Sequence, residues 1–495
     1  MKILALDQGT TSSRAVLFDE NGFIVSQRSE PIKQIYPAPG WVEHDPAEIL
    51  SSVLLCAERV VKQVKDEVSC IGITNQRETV IAWNKETGKP LCNALVWQCR
   101  RTAAFCESII DSGFGDYIKS ATGLSVDPYF SATKIKWIFD NVEGARELAD
   151  QGKLLIGTVE CWLIWNMTGN HYSDITNASR TMLYNINTLE WDKRICEKFG
   201  IPISCLPMVV DNCGDFGCVL QKENIPECLW GLKIRSAVGD QQGAMFGQQC
   251  FNVGDVKNTY GTGCFTLMNI GSKVRLADKL LTTVAYKIGD SICYAIEGSV
   301  FNAGSSIQWL RDELRMISSA RECDLLAEKV NDTEGVAFVS AFTGLGAPYW
   351  DMYARGSLLG ITRGTRPEHI CRAVLEGIAY QVADLVFTME KETSCDITVL
   401  KVDGGASVSD IMMQFQSDIL SCKVDRPECV ESTALGAAYL AGIAEGIWSL
   451  EGIADMRKCD RVFTPSVDKE IADKKMQFWH NAVDAVRHFA RIGKD

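Results

Sequence analysis

Ile3-Leu4-Ala5-Leu6 runs directly into Asp7-Gln8-Gly9-Thr10-Thr11-Ser12-Ser13-Arg14, and the chain returns through Ala15-Val16-Leu17-Phe18 to the turn Asp19-Glu20-Asn21-Gly22. Two apolar runs around a short polar loop predict a β-hairpin. Gly9 lets the backbone approach a bound anion, Thr10, Thr11 and Ser12 supply hydroxyl and amide donors, and Asp7 can hold a water of a hydrated Mg²⁺. The segment reads as a nucleotide-phosphate loop, with an ordinary polar hairpin as the alternative it leaves open by itself.

The motif has a counterpart half a chain later. Gly254-Asp255-Val256-Lys257-Asn258-Thr259 leads into Tyr260-Gly261-Thr262-Gly263 and the strand Cys264-Phe265-Thr266-Leu267-Met268. Two domains follow, 1–250 and 251–495, each opening with a phosphate-facing hairpin. Between the hairpins, Asp45-Pro46-Ala47-Glu48 supplies an N-cap, a first-turn proline and a carboxylate, and apolar residues at helical spacing predict a helix over 46–66. Strands are expected at Cys70–Thr74 and Thr79–Trp83, a long helix at 367–391, and a strand at Leu400–Asp403 entering Gly404-Gly405-Ala406 before a helix at 409–420. Alternating strands and helices indicate an α/β fold.

Composition narrows the function classes. With 50 lysines and arginines against 63 aspartates and glutamates, the formal charge of −13 opposes nonspecific binding to nucleic acid or an anionic membrane. Any anionic ligand must be held by local groups. No apolar stretch reaches the length of a membrane span and no signal-peptide pattern opens the chain, so the sequence reads as soluble and cytoplasmic. Twenty cysteines occur without a Cys-x-x-Cys pair and beside only five histidines, so buried reduced thiols are expected. Cys92, Cys99 and Cys106, spaced by seven, read as packing.

Phosphoryl transfer needs donors on the phosphates, a hydrated metal, an acceptor held in line and a carboxylate to take its proton. Asp7 and Asp240, in Val238-Gly239-Asp240-Gln241-Gln242-Gly243, compete for the last role. Asn75-Gln76-Arg77-Glu78 places four polar groups in a row between the two early strands. In a regular strand Arg77 and Glu78 would face opposite ways, so joint work on one ligand requires a bulge or turn there. Trp97 and Phe265 are candidates for an apolar wall against the carbons of a small ligand.

These motifs resemble the FGGY carbohydrate kinases of the actin-like ATPase superfamily, and among them the members that act on glycerol. The resemblance covers the whole chain, from Ala5–Arg14 through Gly40–Pro46, Ile73–Thr79, Val96–Arg101, Thr176–Thr181, Gly239–Gln242 and Thr259–Gly263, with group signatures at Tyr129–Trp137 and Gly356–Glu376. It implies two ribonuclease-H-like α/β domains flanking a catalytic cleft, and ATP-dependent phosphorylation of glycerol to sn-glycerol 3-phosphate. By this resemblance Arg77, Glu78, Tyr129, Asp240 and Gln241 bond the hydroxyls of glycerol, Trp97 and Phe265 flank its carbons, and Asp240 is the general base. Thr10, Thr11, Ser12 and Arg14 face the β- and γ-phosphates, with Gly261 and Thr262 opposite. Asp7 and Asp240 serve Mg²⁺, and Gly304, Gln308, Gly405, Ala406 and Ser409 fall at the outer end of the nucleotide, where relatives often carry asparagine in place of Ser409. Relatives commonly form dimers or tetramers, so a homo-oligomer is expected. A kinase of another polyol or sugar, or an actin-like ATPase switch, are the competing readings.

Overall fold

The computed structural model describes residues 1–64, 67–454 and 456–492. Its first hairpin pairs Lys2–Gln8 with Ser12–Asp19 in antiparallel register, Gln8 opposite Ser13, so the loop is Gly9-Thr10-Thr11. Both faces of these strands are apolar. Leu4, Leu6, Ala15 and Leu17 join the core beneath helix Pro46–Val61, whereas Ile3, Ala5, Val16 and Phe18 join a second core on the opposite face. A strand buried on both sides needs such a continuous apolar run.

The surrounding sheet has six strands in the order Cys213–Cys218, Lys233–Gly239, Val68–Asn75, Lys2–Gln8, Ser12–Asp19, Ile24–Pro31. The second sheet has seven, in the order Leu281–Ile288, Ser291–Val300, Cys264–Gly271, Val256–Tyr260, Val399–Asp403, Lys423–Pro427, Cys459–Phe463. The two share a kernel. In each, an opening hairpin is extended by a third antiparallel strand on one side, and on the other its first strand pairs with a parallel strand that in turn pairs with a second parallel one. The parallel strands end beside the hairpin loops, which brings Asn75 and Gly239 next to the first loop and Asp403 next to the second.

Most expected elements are present with shifted ends. The first helix stops at Val61, with Lys62 and Gln63 beginning a turn, and residues 65 and 66 of the expected 46–66 span lie outside the described residues. The strand expected at 79–83 is Ile81–Asn84, because the chain leaves the sheet at 76–79 and Glu78 adopts a left-handed φ of 63°. The long helix is Pro367–Thr393, and a 3₁₀ turn, Gly405–Val408, separates Val399–Asp403 from helix Asp410–Leu420. All 20 cysteines are free thiols, and no three-residue metal cluster of Cys, His, Asp and Glu occurs among the described residues. Nor is any described helix long and apolar enough to cross a membrane.

Helix Ser432–Ala444 belongs to the second half yet packs on the first sheet and crosses helix Asp240–Gly247. The crossing is close because the contact positions lack side chains. A Cβ on Gly436 would stand 1.9 Å from the Gly243 carbonyl oxygen, and one on Gly247 would stand 2.1 Å from that of Ser432. These glycines are therefore steric requirements for holding Asp240, the first residue of its helix, at a fixed height above the cleft. Gly436→Ala is expected to cost about 3 kcal/mol, the upper end for overpacking a rigid contact, read as parallel drops in the thermal and urea midpoints.

Candidate active site

The two hairpin loops face each other across one cleft. Thr10 and Thr11 from the first and Gly261, Thr262 and Gly263 from the second line a cavity of about 320 Å³ with Arg77, Glu78, Trp97, Tyr129, Asp240, Gln241 and Phe265. The loops are braced from behind. The Trp97 indole donates to Thr10 Oγ1 at 2.9 Å, and Gln34 Nε2 donates to the Thr10 carbonyl at 2.7 Å. In the second loop, Ala303 N donates to the Thr262 carbonyl at 2.8 Å and Gly304 N to the Gly261 carbonyl at 3.0 Å. Trp97 packs edge-on against Tyr129, centroids 5.5 Å apart, and Phe265, 6.2 Å, forming an aromatic wall.

The wall faces a buried charge network. Arg77 donates through Nη1 to Glu297 Oε2 at 2.6 Å and Gln242 Oε1 at 3.1 Å, and through Nη2 to Glu297 Oε1 at 2.9 Å and the Tyr129 hydroxyl at 3.4 Å. Its Nε lies 3.1 Å from Asp240 Oδ1. The Tyr129 contact is the longest, so that N–H has the most capacity for a ligand. Arg180 clamps the other side, donating to Glu78 Oε1 at 2.6 Å and Glu297 Oε1 at 3.1 Å. Burial by itself would raise the Glu297 carboxyl; Arg180 and Arg77 reverse this and hold it at about 2. The left-handed turn at Glu78 lets Arg77 and Glu78 both line the cavity.

Asp240 begins its helix at the cleft edge, its side chain 29% exposed. Its Oδ1 accepts from Gln241 N at 2.7 Å beside Arg77, while Oδ2 accepts no hydrogen bond among the described residues. One oxygen is oriented and the other is available to a ligand. Lys257, fully buried on strand Val256–Tyr260, donates to Gln241 Oε1 at 2.7 Å and Thr259 Oγ1 at 2.9 Å. Burial draws its ammonium down to about 8 against the pull of Asp403 and Glu297.

Gly261 and Thr262 also line a second cavity of about 220 Å³ with Gly304, Gln308, Gly405, Ala406 and Ser409. A Cβ on Gly405 would meet nothing within 4 Å, so backbone there is open to a ligand. Ser409 is engaged locally, donating to Asp324 Oδ1 at 2.6 Å and accepting from Met412 N at 3.3 Å. Ser12 and Arg14 stand on the strand beyond the first loop and are not among the residues lining either cavity; Arg14 pairs with Glu431 of the second half. Asp7 lies across the hairpin from Arg14, and burial raises its carboxyl to about 7, Arg14 pulling it down and Glu431 and Asp240 pushing it up.

Residues 2–247 match the FGGY family of carbohydrate kinases, N-terminal domain, and residues 256–445 match the C-terminal domain of the same family. The chain belongs to the FGGY family of carbohydrate kinases. It is 52% identical over 490 residues to glycerol kinase 2 of Thermotoga maritima, covering 97% of this chain and 98% of the relative. It is 51% identical over 497 residues to glycerol kinase of Caldanaerobacter subterraneus, covering 99% of both. The crystal structure of Plasmodium falciparum glycerol kinase with ADP superposes with a TM-score of 0.91 at 40% identity over 98% of each chain. Xylulose kinase from Lactobacillus acidophilus, at 22% identity and TM-score 0.86, shares the fold.

Within this FGGY framework, several residues close the site that the motif reading did not assign. Glu297 and Lys257 come from the second sheet to groups of the first half, and Arg180 sits in the Thr176–Thr181 segment without an assigned role. Lys134 donates to the carbonyls of Pro128, Tyr129 and Phe130 at 2.8, 2.6 and 3.0 Å and fixes the backbone that carries the Tyr129 ring. A charged residue in a buried strand, Glu297 in a largely apolar one and Lys257 beside Asn258 and Thr259, is the signal available in the sequence, but its partner is not.

Glu297→Ala would leave Arg77 and Arg180 buried without their shared carboxylate, and a loss of about 3–5 kcal/mol is expected in urea unfolding. Because the folded carboxyl sits at about 2, below its unfolded value, the stability from its ionisation is complete above the unfolded value and is lost as pH falls through about 2. The slope of stability against pH over that window should flatten in Glu297→Gln.

Proposed function

We propose that this protein transfers the γ-phosphoryl group of ATP to glycerol, giving sn-glycerol 3-phosphate. One observation carries the reading: Arg77, Glu78, Trp97, Tyr129, Asp240, Gln241 and Phe265 line a single small cavity that shares Gly261 and Thr262 with the cavity of Gly304, Gln308, Gly405 and Ala406. A small polyol in the first and a nucleotide in the second would meet at the paired hairpin loops. Relatives at 51–52% identity along almost the whole chain are glycerol kinases, which supports the same acceptor here.

In this mechanism the aromatic wall takes the carbon side of glycerol, and Glu78, Gln241, Tyr129 and the Arg77 N–H now spent on Tyr129 take its hydroxyls. Asp240 acts as general base through Oδ2, Oδ1 being held by Gln241 N and facing Arg77 Nε. Thr10, Thr11, Gly261 and Thr262 contact the β- and γ-phosphates, with Ser12 and Arg14 assisting from the adjoining strand. Gly405 and Ala406 face the nucleoside end, beside Ser409. The 1–250 and 251–495 parts act as the two domains that close on the ligands, excluding water so that ATP is not hydrolysed.

Asp7 and Asp240 suit Mg²⁺ in donor chemistry: hard carboxylate oxygens, with Asp7 burdened by Asp240 and Glu431 in a way that a cation would relieve. With no three-residue cluster among the described residues, they fit an ion held largely by water and phosphate oxygens. When bound, Mg²⁺ would offset the negative charge that develops on the transferring phosphoryl group.

A coupled assay of glycerol, xylulose and gluconate tests the reading. Glycerol should exceed both sugars by at least about 100-fold in kcat/KM, and a sugar that matched it would transfer the assignment to that acceptor. Asp240→Asn should lower kcat by about 10²–10⁴-fold, the range for a lost general base, with KM for glycerol little changed; near-normal turnover would exclude Asp240 from the role.

A further inference from the structure

Lys257 is an unusual residue to find at the centre of a core strand. Its side chain is fully buried, and its ammonium meets two neutral acceptors, Gln241 Oε1 at 2.7 Å and Thr259 Oγ1 at 2.9 Å. An apolar side chain would fill the same position without the cost of burying a charge. What an ammonium does that an apolar group cannot is donate in every direction and accept in none. A primary amide beside it therefore has one allowed orientation, with Oε1 toward the lysine and Nε2 away.

The other end of that amide is uncommitted. Gln241 lines the cavity with Arg77, Glu78 and Asp240, and its Nε2 has no acceptor among the described residues, although it is not among their buried unpaired atoms. The backbone N–H of Gln241 is already spent on Asp240 Oδ1 at 2.7 Å. Gln241 thus presents a neutral amide NH₂ to a ligand beside Glu78 and Asp240, whose carboxylates can only accept in their ionised form.

We infer that Lys257 is a positioning residue for the acceptor: it pins the Gln241 amide so that the site presents an N–H donor to one hydroxyl of the polyol. That hydroxyl must then accept from Gln241 and give its own proton to another group, for which the carboxylates of Glu78 and Asp240 are at hand. The polarity of the hydrogen-bond chain is set from outside the cavity, by a residue of the second sheet. Without the ammonium the amide can turn over, offering either end at small cost, and the site tells a hydroxyl from its absence less sharply. The inference rests on the glycerol reading above.

The test compares kcat/KM of the wild-type enzyme and Lys257→Met on glycerol, propane-1,2-diol and propane-1,3-diol, with KM for ATP measured alongside. Loss of the donor orientation should raise KM for glycerol about tenfold, the equivalent of one hydrogen bond, with kcat changed less than about threefold and KM for ATP less than about twofold. The preference for glycerol over the diol that lacks the hydroxyl facing Gln241 should narrow by a similar factor. A purely structural lysine would depress all three substrates alike and leave the preference unchanged, which would overturn the inference. Lys257→Gln, whose own amide can both donate and accept, should give the same narrowing should the methionine variant fail to fold; failure of both to fold would make Lys257 a requirement of the core and would also overturn it. A wild-type enzyme inactive on glycerol would instead defeat the functional reading and this inference with it.

Discussion

Arg77 is buried where the two sheets come together, and a guanidinium there must be surrounded by carboxylates. Glu297 supplies two oxygens from the second sheet, and Asp240 stands beside Nε from the first half. Arg180 balances the surplus, tying Glu297 and Glu78 into the same network. Charges out of water are costly singly and tolerable in a satisfied group, so removing one member strands the others. That interdependence gives Arg77, Glu78 and Asp240 fixed positions before any ligand arrives, which is the preorganisation that a site for a small neutral polyol requires.

A second constraint is steric. The crossing of Ser432–Ala444 over Asp240–Gly247, allowed by Gly243, Gly247 and Gly436, docks part of the second half on the first sheet. Asp240 heads one of the two crossing helices, and Lys257 and Thr262 lie on the hairpin facing it. The same packing that supplies the core therefore sets the spacing between Asp240 and the second hairpin loop. Each loop is also held rigid by groups outside it, Trp97 and Gln34 for the first and the start of helix Gly304–Asp312 for the second.

Much of this was legible in the sequence where the signal was local. The opening hairpin follows from apolar runs on either side of Gly9-Thr10-Thr11, and its counterpart from the same arrangement around Gly261-Thr262-Gly263. The requirement for a break between Arg77 and Glu78 also came from elementary strand geometry, and the left-handed Glu78 meets it. Helix Pro46–Val61 is shorter than its periodicity, since Val64 keeps the apolar pattern after the backbone has turned and packs against the core from outside the helix. Individual roles within the cleft came from resemblance to a family, because spacing alone could not choose between Asp7 and Asp240.

The amino-acid order by itself determined the α/β alternation, the two glycine and threonine loops and the polar segment at 75–78, all of which depend on neighbours within a few residues. Only the tertiary structure decided that Glu297 would neutralise Arg77 across 220 positions, that Arg180 would share it, and that Lys257 would orient Gln241. The physical reason is that a buried charge needs a partner but does not specify which one: any carboxylate that the fold delivers will serve, and delivery is a property of sheet register and helix crossing rather than of distance along the chain.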